Sequence, residues 1–281
     1  MSASSNHADP YARENTDRTA VKTSFVAIPV SHDGRGWHTG GELREPLAPA
    51  AGLRAAVVIV HGSAGVDSRA QNYAIALNAR GLVTLEIDLW AARGVNSPLE
   101  RPKSVAETLP DAFAALDFLA QRSGIDPARI GIMGFSWGGI VSMLSATQRA
   151  PDTFAKDGRK FAAHAPLYPV CWAYNNVPGF EFETLTGAPV FIQSGAADLY
   201  DDPDSCARLV EALPTKTRAH VSFTTYAGAT HAWDRKEADI TPNDPYSHKG
   251  KGGEVPFRYN AEVTRQSTDA IVEFFGRTLG A

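Results

Sequence analysis

Cysteine is scarce in this 281-residue chain, with only Cys171 and Cys206. Two cysteines exclude a disulfide scaffold and make a reducing compartment the default. No apolar run reaches the ~18 residues of a membrane-spanning helix. The polar opening segment lacks the apolar stretch of a signal peptide. Basic blocks are missing as well. Lys plus Arg number 27 and Asp plus Glu 31, a formal charge of −4, so no nucleic-acid partner is expected. No His/Cys cluster has metal spacing. Asp198, Asp201, Asp202 and Asp204 lack the glycine and glutamate of a calcium loop. Gly250-Lys-Gly-Gly253 lacks the spacing and preceding strand of a phosphate loop. Neither metal nor cofactor is therefore expected. What remains is an ordinary globular composition, 43% hydrophobic and 21% charged. It predicts a soluble, cytoplasmic protein with a loose polar tail at 1–20 and a single domain at 21–281. The oligomeric state has no sequence signal.

Along that domain, short apolar runs rich in β-branched residues alternate with helix-like segments. Strands are predicted at 25–30, 55–60, 82–87, 130–135, 161–167, 189–193 and 220–226. Several are almost continuously apolar, as strands buried on both faces of a parallel sheet must be. Helices are predicted at 69–80, 104–122, 138–149, 203–213 and 261–279. Pro110 interrupts the second, so its regular part begins or kinks there. Such alternation predicts an α/β fold, a mostly parallel sheet with helices on both faces. The Gly/Pro-rich stretches 31–52 and 241–257 read as long loops, the second as a wall of a functional site.

The most informative segment is Arg129-Ile-Gly-Ile-Met-Gly-Phe-Ser-Trp-Gly-Gly139. It carries G-x-S-x-G at Gly134, Ser136 and Gly138, directly after an apolar strand and directly before a helix pattern. That context makes Ser136 a nucleophile exposed on a strained turn, with the helix N-terminus favouring negative charge beside it. The bland alternative is a glycine-rich turn with an incidental serine. A serine needs a base, and the base an orienting acid, on loops after later strands. Asp198 follows the strand ending near Gln193, and His231 follows the strand ending near Tyr226, 62 and then 33 residues further on. Asp201, Asp202 and Asp204 fit better as a solvated lead-in to the helix at 203–213. His248, on the long loop, is the rival base. His164 reads as a core residue and His61 as a brace for its turn. Backbone N–H groups of Trp137 and Ser63 form the expected oxyanion hole, with Ala64 the alternative to Ser63. Trp90, Trp172, Tyr174 and Trp233 follow strands, where aromatic side chains either wall a pocket or simply fill the core. Cys171 reads as a small buried hydrophobe. Glu86 is charged inside an apolar strand and receives no role.

H-G-S-A-G at 61–65, I-D-L-W-A-A-R-G at 87–94, G-F-S-W-G-G at 134–139, L-Y-P-V-C-W at 167–172, S-G-A-A-D at 194–198 and G-A-T-H-A-W at 228–233 together form a family pattern. Over residues 22–279 the chain resembles the dienelactone hydrolases, a branch of the α/β-hydrolase superfamily. It departs from the founding enzymes by carrying Ser136 in place of cysteine, and Gly62 at about the position of a glutamate. The resemblance implies an α/β-hydrolase fold, no cofactor and a small-molecule ester or lactone substrate. It also implies that Arg93 holds a substrate carboxylate. Residues and resemblance together predict a serine carboxylesterase acting through an acyl-enzyme. A peptidase or amidase of the same fold is the catalytic alternative. A catalytically silent binding module is the alternative of a different class.

Overall fold

The structure, a computed structural model, describes residues 20–281. The tail expected at 1–20 thus lies, apart from Ala20, outside the described residues.

The main sheet has eight strands in the order β1-β2-β4-β3-β5-β6-β7-β8. Its centre follows the apolar runs: β3 (Arg54–Val60), β4 (Val83–Asp88), β5 (Ile125–Phe135), β6 (Ala163–Leu167), β7 (Val190–Gly195) and β8 (Val221–Tyr226). These pair in parallel. Successive β3 side chains enter opposite cores. Val57 and Ile59 meet helix α1 (Ser68–Ala79) and the last helix (Ala261–Leu279), while Val58 and Val60 meet the other layer. That layer holds α2 (Leu109–Ala120), α3 (Trp137–Ser145), α4 (Arg149–Phe154) and α5 (Ser205–Ala212). Burial on both faces is what makes β3, β6 and the 130–135 part of β5 read as nearly unbroken apolar runs, while β8, at the edge, is half exposed. The fold is the α/β-hydrolase kind.

The stretch 31–52 is not a loop. Residues Arg35–Pro46 form β2, hairpinned to β1 (Val21–His32) and antiparallel to β4. Asp33 and Gly34 make the turn with φ of 48° and 73°, the primed geometry a twisted hairpin prefers. In the second predicted helix, Ser104 and Glu107 cap a 3-10 turn and α2 starts at Leu109, with Pro110 in its first turn. The helix expected at 138–149 stops at Ser145, and α4 is a separate element.

The cysteines are not free. Cys171, in a 3-10 turn after β6, is disulfide-bonded to Cys206 of α5. The sheet order brings these elements together, and the 35-residue spacing gives no hint of it. Among the described residues no helix is long and apolar enough to cross a membrane.

Candidate active site

Every predicted reactive side chain sits at the carboxyl edge of the parallel strands. β5 ends at Phe135, and Ser136 turns the chain into α3 with φ 51° and ψ −106°, a conformation rarely taken by residues other than glycine. The flanking glycines make the turn feasible. A Cβ on Gly138 would lie 2.0 Å from the Val60 carbonyl oxygen, and one on Gly134 2.3 Å from that of Gly138. The Ser136 N–H donates to the Leu167 carbonyl at 3.0 Å, which pins the elbow to β6.

Two loops deliver its partners. His231 Nε2 lies 2.9 Å from Ser136 Oγ, and His231 Nδ1 lies 2.7 Å from Asp198 Oδ2. Asp198 and His231 are both buried. The other carboxylate oxygen, Asp198 Oδ1, accepts the Tyr200 N–H at 2.9 Å. The imidazole is boxed by aromatic rings of Tyr200 at 4.3 Å, Tyr168 at 4.7 Å and Phe257 at 5.3 Å, centroid to centroid. These rings restrict it to one orientation. Tyr168 belongs to the L-Y-P-V-C-W motif, while no motif contains Tyr200 or Phe257. His248, the rival base, instead directs Nε2 to the Glu254 carbonyl at 3.0 Å.

The loop after β3 is braced by His61. The Leu89 N–H donates to His61 Nε2 at 3.0 Å, so the ring proton resides on Nδ1 and goes to the Gly62 carbonyl at 2.7 Å. That carbonyl also accepts the Gly65 N–H at 3.0 Å. In a trans peptide the Ser63 N–H points opposite to the Gly62 carbonyl, so fixing one aims the other. Trp90 Nε1 donates to the Ser63 carbonyl at 3.0 Å and fixes the next peptide, which carries the Ala64 N–H. Trp137 begins α3, where N–H groups have no intrahelical acceptor. Its indole is tied to Thr108 Oγ1 at 3.1 Å.

Beneath this surface lies a polar network that sequence reasoning missed. The fully buried Asp234 accepts hydroxyl bonds from Tyr168 at 2.6 Å and Tyr73 at 2.9 Å. Arg69 adds a bond to the Tyr168 hydroxyl at 3.3 Å and pairs with Asp67. Burial pushes the Asp234 carboxyl up despite these donors. Because Tyr168 is one wall of the His231 box, the network anchors the imidazole from below.

Several expectations are corrected. Arg93 is not available to a substrate: its guanidinium makes a two-armed pair with the fully buried Asp111, at 2.6 and 3.0 Å. It also donates to the Leu89 and Glu107 carbonyls and stacks on Trp37. Asp111 further receives Trp37 Nε1 and the Thr39 hydroxyl, so this arginine stitches β2 to α2. Trp233 is core rather than pocket wall, packed between Tyr168 and Tyr226. Trp90 is buried against His61 and Trp137, and Tyr174 is buried too. Trp172 stands beside Gly250 and lines a cleft of about 660 Å³ with Asn175, Arg208 and Lys249. Asp201 is no solvated lead-in: it accepts the N–H groups of Cys171 and Trp172, and burial raises its pKa to about 6. His164 is the expected core residue, with burial lowering its pKa to about 3 and Nε2 left without a partner.

Residues 45–279 match the dienelactone hydrolase family. The chain belongs to that family. It is therefore an α/β hydrolase. An uncharacterized protein of Mycobacterium tuberculosis strain CDC 1551 is 32% identical over 170 residues, which cover 58% of this chain and 59% of that protein. A bis(hydroxyethyl) terephthalate hydrolase of Streptomyces coelicolor is 33% identical over 135 residues, 47% of this chain and 39% of that enzyme. The chain thus aligns with less than two thirds of these curated relatives. Among solved structures, apo Thermogutta terrifontis esterase 2 superposes with a TM-score of 0.63 at 16% identity, covering 96% of this chain and 98% of that one. MGS-M1, an α/β hydrolase from a deep-sea metagenome library, gives 0.63 at 18%, covering 94% and 100%. These two likenesses establish the fold. Gly62 lies close under the Arg69 guanidinium, with an added Cβ 2.9 Å from Arg69 Nη2 and 3.3 Å from the Phe135 carbonyl oxygen.

Proposed function

We propose that this member of the family is a serine hydrolase that cleaves carboxylic esters or lactones through an acyl-enzyme, with the reaction carried by one α/β unit over 21–281. The observation that supports it most is the unbroken hydrogen-bond chain from Asp198 through His231 to Ser136, at 2.7 and 2.9 Å, on a strained elbow. Ser136 Oγ attacks the carbonyl carbon as its proton passes to His231 Nε2. The tetrahedral oxyanion takes hydrogen bonds from the N–H groups of Trp137 and Ser63. Collapse breaks the bond to the alcohol oxygen, which leaves with the proton from His231. Water then repeats the sequence, giving its proton to His231, and the acid departs as Ser136 is restored. Asp198 orients the imidazole and stabilises the imidazolium in both halves. The Streptomyces relative, named for an aromatic diester, supports ester chemistry. The Cys171–Cys206 bond favours an oxidising compartment over the cytoplasmic one expected from cysteine scarcity.

Turnover of p-nitrophenyl esters beside matched anilides tests the assignment. Ester cleavage well above anilide cleavage is expected. Preference for anilides would make the chain an amidase, and inertness toward both would leave a binding module.

A further inference from the structure

Segment 241–257 adjoins the candidate site at several points. Phe257 packs on His231, and its backbone bridges to that residue. The His248 N–H donates to the carbonyl of Leu199, the residue after Asp198, at 2.8 Å. Asp244 accepts the Tyr200 hydroxyl at 2.7 Å. The last of these points runs through a single side chain. Arg101 lies between two aromatic rings, 4.6 Å from the centroid of Tyr246 and 5.4 Å from that of Trp137, the residue after Ser136.

This arginine differs from Arg93. Among the described residues it has no carboxylate within ion-pair distance and no hydrogen-bond acceptor. Asp244, on the facing segment, is already occupied by the Tyr200 hydroxyl and the Tyr246 N–H. Tyr246 is 55% exposed, so the ring stays in place without burial. A cation over an exposed ring is a weak, breakable contact. The backbone behind it is strained: His248 and Lys249 hold φ of 49° and 58°, followed by Gly250, Gly252 and Gly253, also at positive φ. Elsewhere this strained, glycine-rich strap is anchored, by Lys249 Nζ on Asp202 at 2.8 Å and by the buried Ser247 hydroxyl, which bonds the Asp244 and Gly253 carbonyls, so the Tyr246 end is the part free to open.

We propose that Arg101 is a gate residue, clasping Tyr246 beside the ring of Trp137, the residue after Ser136, and so limiting the size of the ester group that reaches Ser136. This rests on the esterase reading. Arg101 touches no reacting atom and acts through the position of Tyr246.

The test compares p-nitrophenyl acetate with p-nitrophenyl benzoate in wild type, Arg101→Ala, Tyr246→Ala and the double variant. Each single variant is expected to raise the benzoate-to-acetate ratio of kcat/KM at least about fivefold, mainly through KM for benzoate. The double variant should exceed neither single by more than about twofold, because both remove one contact. An unchanged ratio, or parallel loss on both esters, overturns the gate. Amide exchange over 246–252 reads the clasp without substrate. It should quicken about two- to fivefold in Arg101→Ala, and unchanged protection overturns the proposal even if no ester is turned over. Wild-type inertness toward esters with quickened exchange would instead retain the clasp and refute the esterase reading.

Discussion

Among the segments at the carboxyl edge of the sheet that hold non-glycine residues at positive φ, the elbow and the 246–252 strap hold them differently. In the elbow, Ser136 at 51° is enclosed by backbone: Gly134, Gly138 and Gly139 lie so close to neighbouring carbonyls that no side chain fits. In the strap, His248 and Lys249 at 49° and 58° adjoin Gly250 and Gly252, whose nearest neighbours are 3.8 and 3.5 Å from an added Cβ. Strain that is surrounded by packed strands can only be released by deforming the sheet. Strain at the surface is released by movement of the segment. Positive φ is thus paired with ψ −106° where position is fixed, at Ser136, and with the left-handed ψ of 46° and 45° in the strap proposed to govern access.

The largest effect expected from breaking this contrast lies at the elbow. Ser136→Ala should lower kcat by ~10⁴–10⁶ while the protein stays folded, about 5–8 kcal/mol of barrier. Retention of activity within tenfold of wild type in a p-nitrophenyl ester assay would remove Ser136 from the mechanism. Next comes enclosure itself. Gly138→Ala should cost at least ~3 kcal/mol of stability in urea unfolding, against roughly 1 kcal/mol for Gly252→Ala at its positive φ. Similar losses at both would erase the distinction.

The disulfide sharpens the contrast from outside, because it joins the turn after β6 to α5, next to the Asp198 loop. Replacing both cysteines by serine should cost ~2–4 kcal/mol. It should leave kcat/KM within about threefold, since Asp201 also braces the Cys171 turn. A collapse of kcat at unchanged stability would mean the bond positions the acid.

The smallest effect concerns the sheet that encloses the elbow. Glu86 on β4 faces Glu42 on β2, one of its carboxylate oxygens is buried without a partner, and burial with the Glu42 charge raises its pKa to about 7. The folded state therefore holds this proton more tightly than the unfolded chain, where the ordinary value is 4.5. Its contribution is complete below the unfolded value and is lost as pH rises through about 7, by roughly 1–3 kcal/mol. The melting temperature of wild type should fall between pH 5 and 8 more steeply than that of Glu86→Gln. Equal slopes would show that Glu86 does not couple to folding.

Legibility in the sequence followed the same division. The buried strands and the elbow were readable because burial on both faces and close backbone approach leave local signatures: apolar runs and glycines at fixed spacing. Asp198 and His231 were readable through chain order after successive strands. β2 was not, because a half-exposed antiparallel strand of sequence RGWHTGGELREP carries little apolar pattern. Arg93 misled because its partner, Asp111, sits on α2 and meets it only in the folded chain. The disulfide, the Asp234 network and the Arg101 clasp depend likewise on contacts between distant segments, which no local pattern announces.

The proposed mechanism turns on a covalent acyl intermediate at Ser136 with His231 as its base. Intact-mass and peptide mapping after treatment with a fluorophosphonate probe tests it most directly. The account predicts one adduct, on the peptide containing Ser136, lost in Ser136→Ala and greatly slowed in His231→Ala. Labelling elsewhere, or full labelling of Ser136→Ala, would contradict it.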